Sequence, residues 1–231
     1  HPRGRLTRSG GEGDSNPSMG TVSEARSRQL VEAAGIPVSP WASAGDPDRA
    51  VEAARNLGFP VAVKLNGDAV IHKTERSLVR LGLASPDQVA EAAAQLLAGA
   101  GEGTDLLVTQ MVAGHRELIA GLVTDERFGP CIMLGLGGVL AEAMADVAFR
   151  LAPLGVVDAL DLIDDLGAQA LLGPLRGEPA LDREATADLL VAIGTMADDP
   201  DVVAVDLNPL VVADGRPVAV DALVELSDGA Q

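Results

Sequence analysis

The stretch that most constrains the fold is Val202 to Asp221, where Asp214-Gly215 separates two apolar runs. An Asp-Gly pair in that setting predicts a two-residue type I′ hairpin turn, which needs positive φ at both central residues. Within Asp206-Leu207-Asn208-Pro209, the strand reading of Val202 to Asn208 puts Asp206 and Asn208 on one face. Counting back from a tight turn sets Asn208 opposite Asp221, and cross-strand partners have Cβ atoms about 5 Å apart. Two carboxylates and one amide oxygen then converge on a point. Hard oxygen donors in small number suit Mg²⁺, which keeps waters and substrate phosphates as its other ligands. The plain alternative is an ordinary loop whose acids face water.

The formal net charge of −17 argues against a nucleic-acid partner, which needs clustered Lys and Arg to neutralise phosphates. Trp41 is the single tryptophan and there is no tyrosine, so base-stacking platforms are lacking too. The lone Cys131 excludes disulfides and Cys-based metal sites within the chain. No apolar run approaches the roughly 20 residues that span a bilayer, and the polar start lacks a signal-peptide core. The expectation is a cytoplasmic protein with no membrane partner. Residues 1–20 read as a tail or linker, with Met19 a candidate natural start.

Thr21-Val22-Ser23-Glu24 has the pattern of a capping box and opens a helix running to Gly35. Asp46 caps a second helix, with Pro47 in its first turn and Gly58 as its stop. Phe59 to Lys64 reads as a buried strand ending in a cation. A strand at Val79 to Leu83, a helix from Ser85-Pro86 to Ala98, and strands at Asp105 to Val112 and Leu118 to Val123 follow. The second half, from near Gly114, offers a strand at Pro130 to Leu134 and helices at Val157 to Leu172 and from Asp182 to Met196. Val139 to Leu151 fits either helix or strand. Alternating helices and strands give an α/β or α+β architecture.

Several residues carry possible chemistry. Lys64, at the end of an apolar strand, offers a point charge to a phosphate, or simply reaches solvent. His72, in Ile71-His72-Lys73-Thr74, is a competent phosphoryl acceptor beside a cation, or an ordinary loop residue. Thr109-Gln110-Met111-Val112 reads as a hinge that meets an adenine edge through its backbone, or as core filler. Gly135-Leu136-Gly137-Gly138 either faces a phosphate or makes a plain turn.

Pro60-Val61-Ala62-Val63-Lys64, Ile71-His72-Lys73, Phe128-Gly129-Pro130, Gly135-Leu136-Gly137-Gly138, Ala148-Phe149-Arg150-Leu151-Ala152-Pro153 and Asp206-Leu207-Asn208-Pro209 with Asp221 occur here in one order. Over Val22 to Glu225 the chain resembles the ATP-grasp subunit of ADP-forming acyl-CoA synthetases, relatives of succinyl-CoA synthetase. The resemblance implies an α+β, ATP-grasp fold in which two α/β lobes, residues 21–112 and 113–228, clamp a nucleotide. It implies that Lys64, Gln110, Met111, Val112 and Glu117 bind ATP or ADP, and that Asp206, Asn208 and Asp221 hold Mg²⁺. His72, Lys73 and Arg150 form the implied catalytic set, with His72 relaying a phosphoryl group between nucleotide and partner. It also favours a strand pair for Val139 to Leu151.

The implied partner is a CoA-binding/ligase alpha subunit or fused domain, in a hetero-oligomer. Two departures stand out: Ser77-Leu78 replace glycines expected in the phosphate loop, and Ala204 replaces an acid two positions before Asp206. The leading expectation is therefore an acid-thiol ligase interconverting acid, CoA and ATP with acyl-CoA, ADP and phosphate. A catalytically weakened nucleotide-sensing or assembly module, and a free-standing ligase joining a carboxylate to an amine, are the alternatives.

Overall fold

The computed structural model describes residues 19–67, 78–101, 103–138 and 145–227. In chain order the first half contains β1 (Met19–Thr21), α1 (Glu24–Ala33), β2 (Trp41–Ala44), α2 (Pro47–Leu57), β3 (Val61–Asn66), β4 (Val79–Leu83), α3 (Pro86–Ala98) and β5 (Asp105–Gln110). The second half contains β6 (Glu117–Asp125), β7 (Gly129–Leu136), β8 (Val147–Leu151), α4 (Val156–Asp164), α5 (Gln169–Leu172), α6 (Arg183–Met196), β9 (Val202–Ala213), β10 (Arg216–Ala219) and β11 (Leu223–Ser227).

The smaller sheet is antiparallel in the order β2-β5-β3-β4. Its helices begin where local chemistry dictates: Asp46 accepts from Arg49 N and Ser85 from Gln88 N, each followed by proline. Such caps contribute about 1 kcal/mol each. Alternation along β3 decides what the sheet shows to each side. Val61, Val63 and Leu65 pack with Ala50, Ala54, Val89 and Leu96 of α2 and α3. Ala62, Lys64 and Asn66 therefore face the opposite way. Lys64 is not the strand end expected from sequence, because β3 continues to Asn66.

The larger sheet, seven-stranded among the described residues, runs β1-β11-β9-β6-β7-β8, with β10 also pairing with β9. One face is closed by α1, α4 and α6, whose Val31, Leu162, Ile163, Leu190 and Ile193 pack on Leu122, Ile132, Leu134, Val205 and Leu207. Full burial of each such side chain stabilises by about 1.5–3 kcal/mol. The other face turns toward the small sheet.

Three sequence expectations change. Ser23, not Thr21, caps α1, its side chain accepting from Arg26 N, while Thr21 pairs with Glu225 in the sheet. The lobe boundary shifts as well. Thr21 and α1, placed by sequence in a 21–112 lobe, and Met19 and Gly20, placed in a 1–20 tail, all join the large sheet or its covering layer, and Val31 and Ile36 enter its core. The single helix expected over Val157 to Leu172 is broken into α4 and α5, where Asp146 accepts from Gly167 N and Ala168 N, both at 2.8 Å. Residues 147–151 are strand, as the family resemblance favoured over helix.

Candidate functional site

The Asp214-Gly215 turn forms as expected, with φ of 50° and 86°. Its register pairs Arg216 with Ala213 and Ala219 with Leu210. The N–H of Val220 then donates to the Pro209 carbonyl at 3.2 Å. One residue further, Asp221 comes level with Asn208. The returning strand resumes pairing at Leu223 opposite Asp206. Pro209 has no N–H to give a ladder, so regular pairing lapses here and leaves Asp221 in the gap between β10 and β11. Beneath Asp206 the neighbouring strand carries Gly121. A Cβ there would stand 2.3 Å from the Val205 carbonyl, so glycine permits this close approach of β6 to β9.

Asp206, Asn208 and Asp221 line a cleft of about 1000 Å³ between the sheets, together with Lys64 of β3. Lys64 Nζ lies 3.2 Å from Asp221 Oδ2 and 2.8 Å from Glu24 Oε1. Partial withdrawal from water, then the charges of Asp221 and Glu225, raise the Asp206 carboxyl above the ordinary aspartate range. Burial, then the Asp221 charge, also raise Glu24, against the pull of Lys64 and Arg28.

These residues fit a divalent cation on chemistry visible in the structure. The donors are hard oxygens, burial and then the crowding carboxylates of Asp221 and Glu225 raise Asp206, and Asp221 already accepts a cation in the form of the Lys64 ammonium. Among the described residues no three His, Cys, Asp or Glu side chains group to hold a metal on their own. An ion held here would need the Asn208 amide, phosphates and water to complete its shell, as Mg²⁺ usually does.

Of the predicted nucleotide residues, Gln110, Met111, Val112 and Glu117 all line the same cleft. The Gln110 side-chain nitrogen is occupied, donating to the Leu57 carbonyl at 2.8 Å, and Met111 Sδ accepts from Gly82 N. Their backbone N–H groups are also occupied, donating to the Pro40 and Pro60 carbonyls at 2.8 and 3.1 Å, so a ligand meets these two residues through carbonyls, the Gln110 amide oxygen and apolar surface. The Glu117 carbonyl accepts from Gly137 N at 2.7 Å, which seats the glycine turn beside it. His72 and Lys73 lie outside the described residues.

Arg150 departs from expectation. Its partner across the sheet is Ile132, so it points to the helix-covered face, where it pairs with Asp165 at 2.5 Å. Its neighbour Phe149, in line with Met133, Gly121 and Asp206, lies on the cleft-side face. Residues 147–151 had fitted helix or strand, and only the strand reveals this alternation. The site also contains two residues that sequence reading passed over. Glu24 was taken only as part of a helix start, yet it reaches Lys64, and Asn66 Oδ1 accepts from Ala25 N at 3.0 Å. Asn66 carried a usable signal, standing two places beyond Lys64 on one strand. Leu78, suspected as an obstruction in a phosphate loop, packs against the small-sheet core, and Ser77 lies outside the described residues.

The ATP-grasp domain family matches residues 16–226. The beta subunit of ADP-forming acetate–CoA ligase I from Pyrococcus furiosus is 32% identical, over 86% of this chain and 89% of that one. ADP-forming acetate–CoA ligase I from Archaeoglobus fulgidus is 36% identical over 91% of this chain but only 32% of its own length. Acetyl-coenzyme A synthetase 1 of Ca. Korarchaeum cryptofilum superposes in two of its solved states. With coenzyme A and Ca-AMPCP it gives a TM-score of 0.82 at 33% identity, covering 90% of this chain and 93% of that one. With coenzyme A, Mg-AMPPCP and a phosphohistidine segment directed at the nucleotide site, it gives 0.75 at 34%, covering 88% and 91%.

Proposed function

Because the chain belongs to the ATP-grasp family, among the beta subunits and domains of ADP-forming acyl-CoA ligases, we propose that it is the nucleotide-binding part of such an enzyme. The reaction interconverts acid, CoA and ATP with acyl-CoA, ADP and phosphate. The single observation that carries this reading is the convergence of Lys64 from one sheet and Asp206, Asn208 and Asp221 from the other on one cleft.

In this reading ATP lies between the sheets. Its adenine meets the backbone of Gln110 to Val112 and its phosphates meet Lys64, whose point charge suits them. Asp206, Asn208 and Asp221 hold Mg²⁺, which supplies charge neutralisation on the phosphates. Glu117 lies beside the nucleotide. His72 takes the terminal phosphoryl group: the bond from phosphorus to the bridging oxygen breaks, a bond to an imidazole nitrogen forms, and ADP leaves with the electron pair. Lys73 neutralises charge on the transferred group. Arg150 has no part in this scheme, since it sits behind the large sheet.

The acid and CoA belong to a CoA-binding/ligase partner. In this reading the partner is a separate alpha subunit, in keeping with a Pyrococcus relative that is itself named a beta subunit, or the remainder of a longer chain, in keeping with the greater length of the Archaeoglobus one. The cytoplasm is the location that fits this metabolism. No helix among the described residues is long and apolar enough to cross a membrane.

The test is to mix the chain with its CoA-binding partner, Mg²⁺ and ATP labelled on the terminal phosphate. The expected result is acid-labile label on the chain that disappears in His72→Ala. Nucleotide binding with no label on wild type would point instead to a sensing module, and ligase activity without any partner to a free-standing ligase.

A further inference from the structure

Glu24 enters the cleft from α1, and a closed ring of contacts explains what keeps it there. Its Oε1 accepts from Lys64 Nζ at 2.8 Å and from Arg28 Nε at 3.0 Å. Arg28 is fully buried, and its guanidinium also donates to Ser39 O, Ser39 Oγ and the carbonyl of Val220. Val220 precedes Asp221, and Asp221 closes the ring on Lys64 at 3.2 Å. The ammonium thus has two carboxylate partners of unlike exposure, and Asp221 Oδ1 also accepts from Ala222 N at 3.0 Å. Glu24, 18% exposed, is braced by a buried arginine, whereas Asp221, 47% exposed, stands in a gap of the sheet.

On the reading of the cleft given above, Asp221 and Lys64 have to part, because the carboxylate is wanted by the cation and the ammonium by phosphate. A buried ammonium left without a counter-charge is costly, so a lysine paired with Asp221 alone resists that exchange. We propose that Glu24 is a positioning residue: the standing counter-ion that keeps Lys64 in the cleft and releases Asp221 to a divalent cation. The proposal rests on the functional reading and deepens it. Glu24 acts through Lys64 and not on the metal, which distinguishes it from Asp206, Asn208 and Asp221.

The test measures Mn²⁺ binding in the presence of AMPPCP, by paramagnetic resonance and calorimetry, on wild type, Glu24→Gln, Lys64→Met and the double variant. Glutamine keeps the size of the side chain and an acceptor for Lys64 but removes the charge. Glu24→Gln is expected to weaken Mn²⁺ binding on the order of tenfold, the scale of one nearby charge in a partly buried site. Binding of metal-free AMPPCP should not weaken, whereas a merely structural loss would lower both. In the Lys64→Met background the same substitution should change Mn²⁺ affinity by less than about twofold, as for two residues acting through one interaction.

An unchanged Mn²⁺ affinity in Glu24→Gln overturns the proposal. So does a loss that persists without Lys64, which would make Glu24 a ligand in its own right. If wild type binds no Mn²⁺ with AMPPCP, the reading of the cleft falls together with the proposal, whereas wild-type binding that Glu24→Gln leaves intact sinks the proposal alone. Should the Gln variant not fold, Glu24→Asp, which draws the charge back by one methylene, decides the matter. An affinity equal to wild type then overturns the proposal, and a partial loss supports it.

Discussion

Arg116 and Lys64, two of the three buried cations among the described residues, sit among oxygens, and their surroundings differ in a way that separates scaffold from site. Arg116, at the entry to β6, donates from Nε to Glu178 Oε2 at 3.1 Å and from its two terminal nitrogens to the carbonyls of Leu171, Leu172, Gly173 and Pro179. Those carbonyls are backbone of the segment that wraps around it, so the guanidinium is saturated by its own chain. Lys64 instead meets two carboxylates, one of them from the oxygen cluster at Asp206, Asn208 and Asp221. A cation satisfied by carbonyls is fixed. A cation held by carboxylates that a second cation can claim is exchangeable, and only that arrangement has use for a ligand.

The contrast breaks most sharply under substitution. Arg116→Met leaves the carbonyls of Leu171, Leu172, Gly173 and Pro179 without this donor, so it should destabilise the fold by at least the ~1–3 kcal/mol that one unsatisfied buried acceptor costs. Thermal or urea unfolding reads this directly, and a loss below about 1 kcal/mol would show that Arg116 is not the clamp its contacts describe. Lys64→Met should do the reverse. Glu24 and Asp221 have other partners or water, so stability should change little. Phosphoryl transfer in the partnered enzyme should fall about 100-fold in kcat/KM, or about 2.7 kcal/mol of transition-state stabilisation. If Lys64→Met unfolded the chain while sparing turnover in the remaining folded fraction, the two cations would have been assigned the wrong way round.

The same contrast explains what could be read from sequence. The caps at Asp46, Ser85 and Asp182 and the Asp214-Gly215 turn are decided within a few residues, and they form where expected. The oxygen cluster was legible because one tight turn fixes its register. Glu24 was not, since its meeting with Lys64 depends on α1 packing against the sheet built from the far end of the chain. Arg150 failed for another reason. Helix and strand readings of one short segment send a side chain in different directions, and a strand shifted by a single residue reverses its face. The alternation Val61, Val63, Leu65 against Ala62, Lys64, Asn66 did hold the answer for Lys64, but an apolar run hides which half of it is outward.

A smaller effect comes from the cleft acids. Because Asp206 is raised in the folded chain, its ionisation works against folding above the ordinary aspartate range, and that penalty fades as pH falls and the carboxyl is protonated. Asp206→Asn should therefore stabilise the metal-free chain at neutral pH, by less than about 1 kcal/mol for a group open to solvent screening. The same change should weaken Mn²⁺ binding. Unfolding midpoints with and without Mn²⁺ check both halves, and a variant destabilised without metal would show that Asp206 is paired in the scaffold and not held in reserve for a cation.

The clamp region predicts the opposite pH sense. The His115 ring nitrogen at 2.7 Å, then the His115 N–H at 2.8 Å and Arg116 Nε, depress the Glu178 carboxyl below the usual glutamate range. A carboxyl lowered in the folded state contributes stability that is fully present above its unfolded value and lost as pH falls through its folded one. Wild type should thus exceed Glu178→Gln in urea midpoint at neutral pH, and the gap should close on acidification below the ordinary glutamate range. Near neutrality Asp206→Asn and Glu178→Gln then move stability in opposite directions, although each removes one negative charge. A gap between wild type and Glu178→Gln that stays constant with pH would mean that the contact works by shape alone, and the distinction between fixed and exchangeable carboxylates would lose its electrostatic basis.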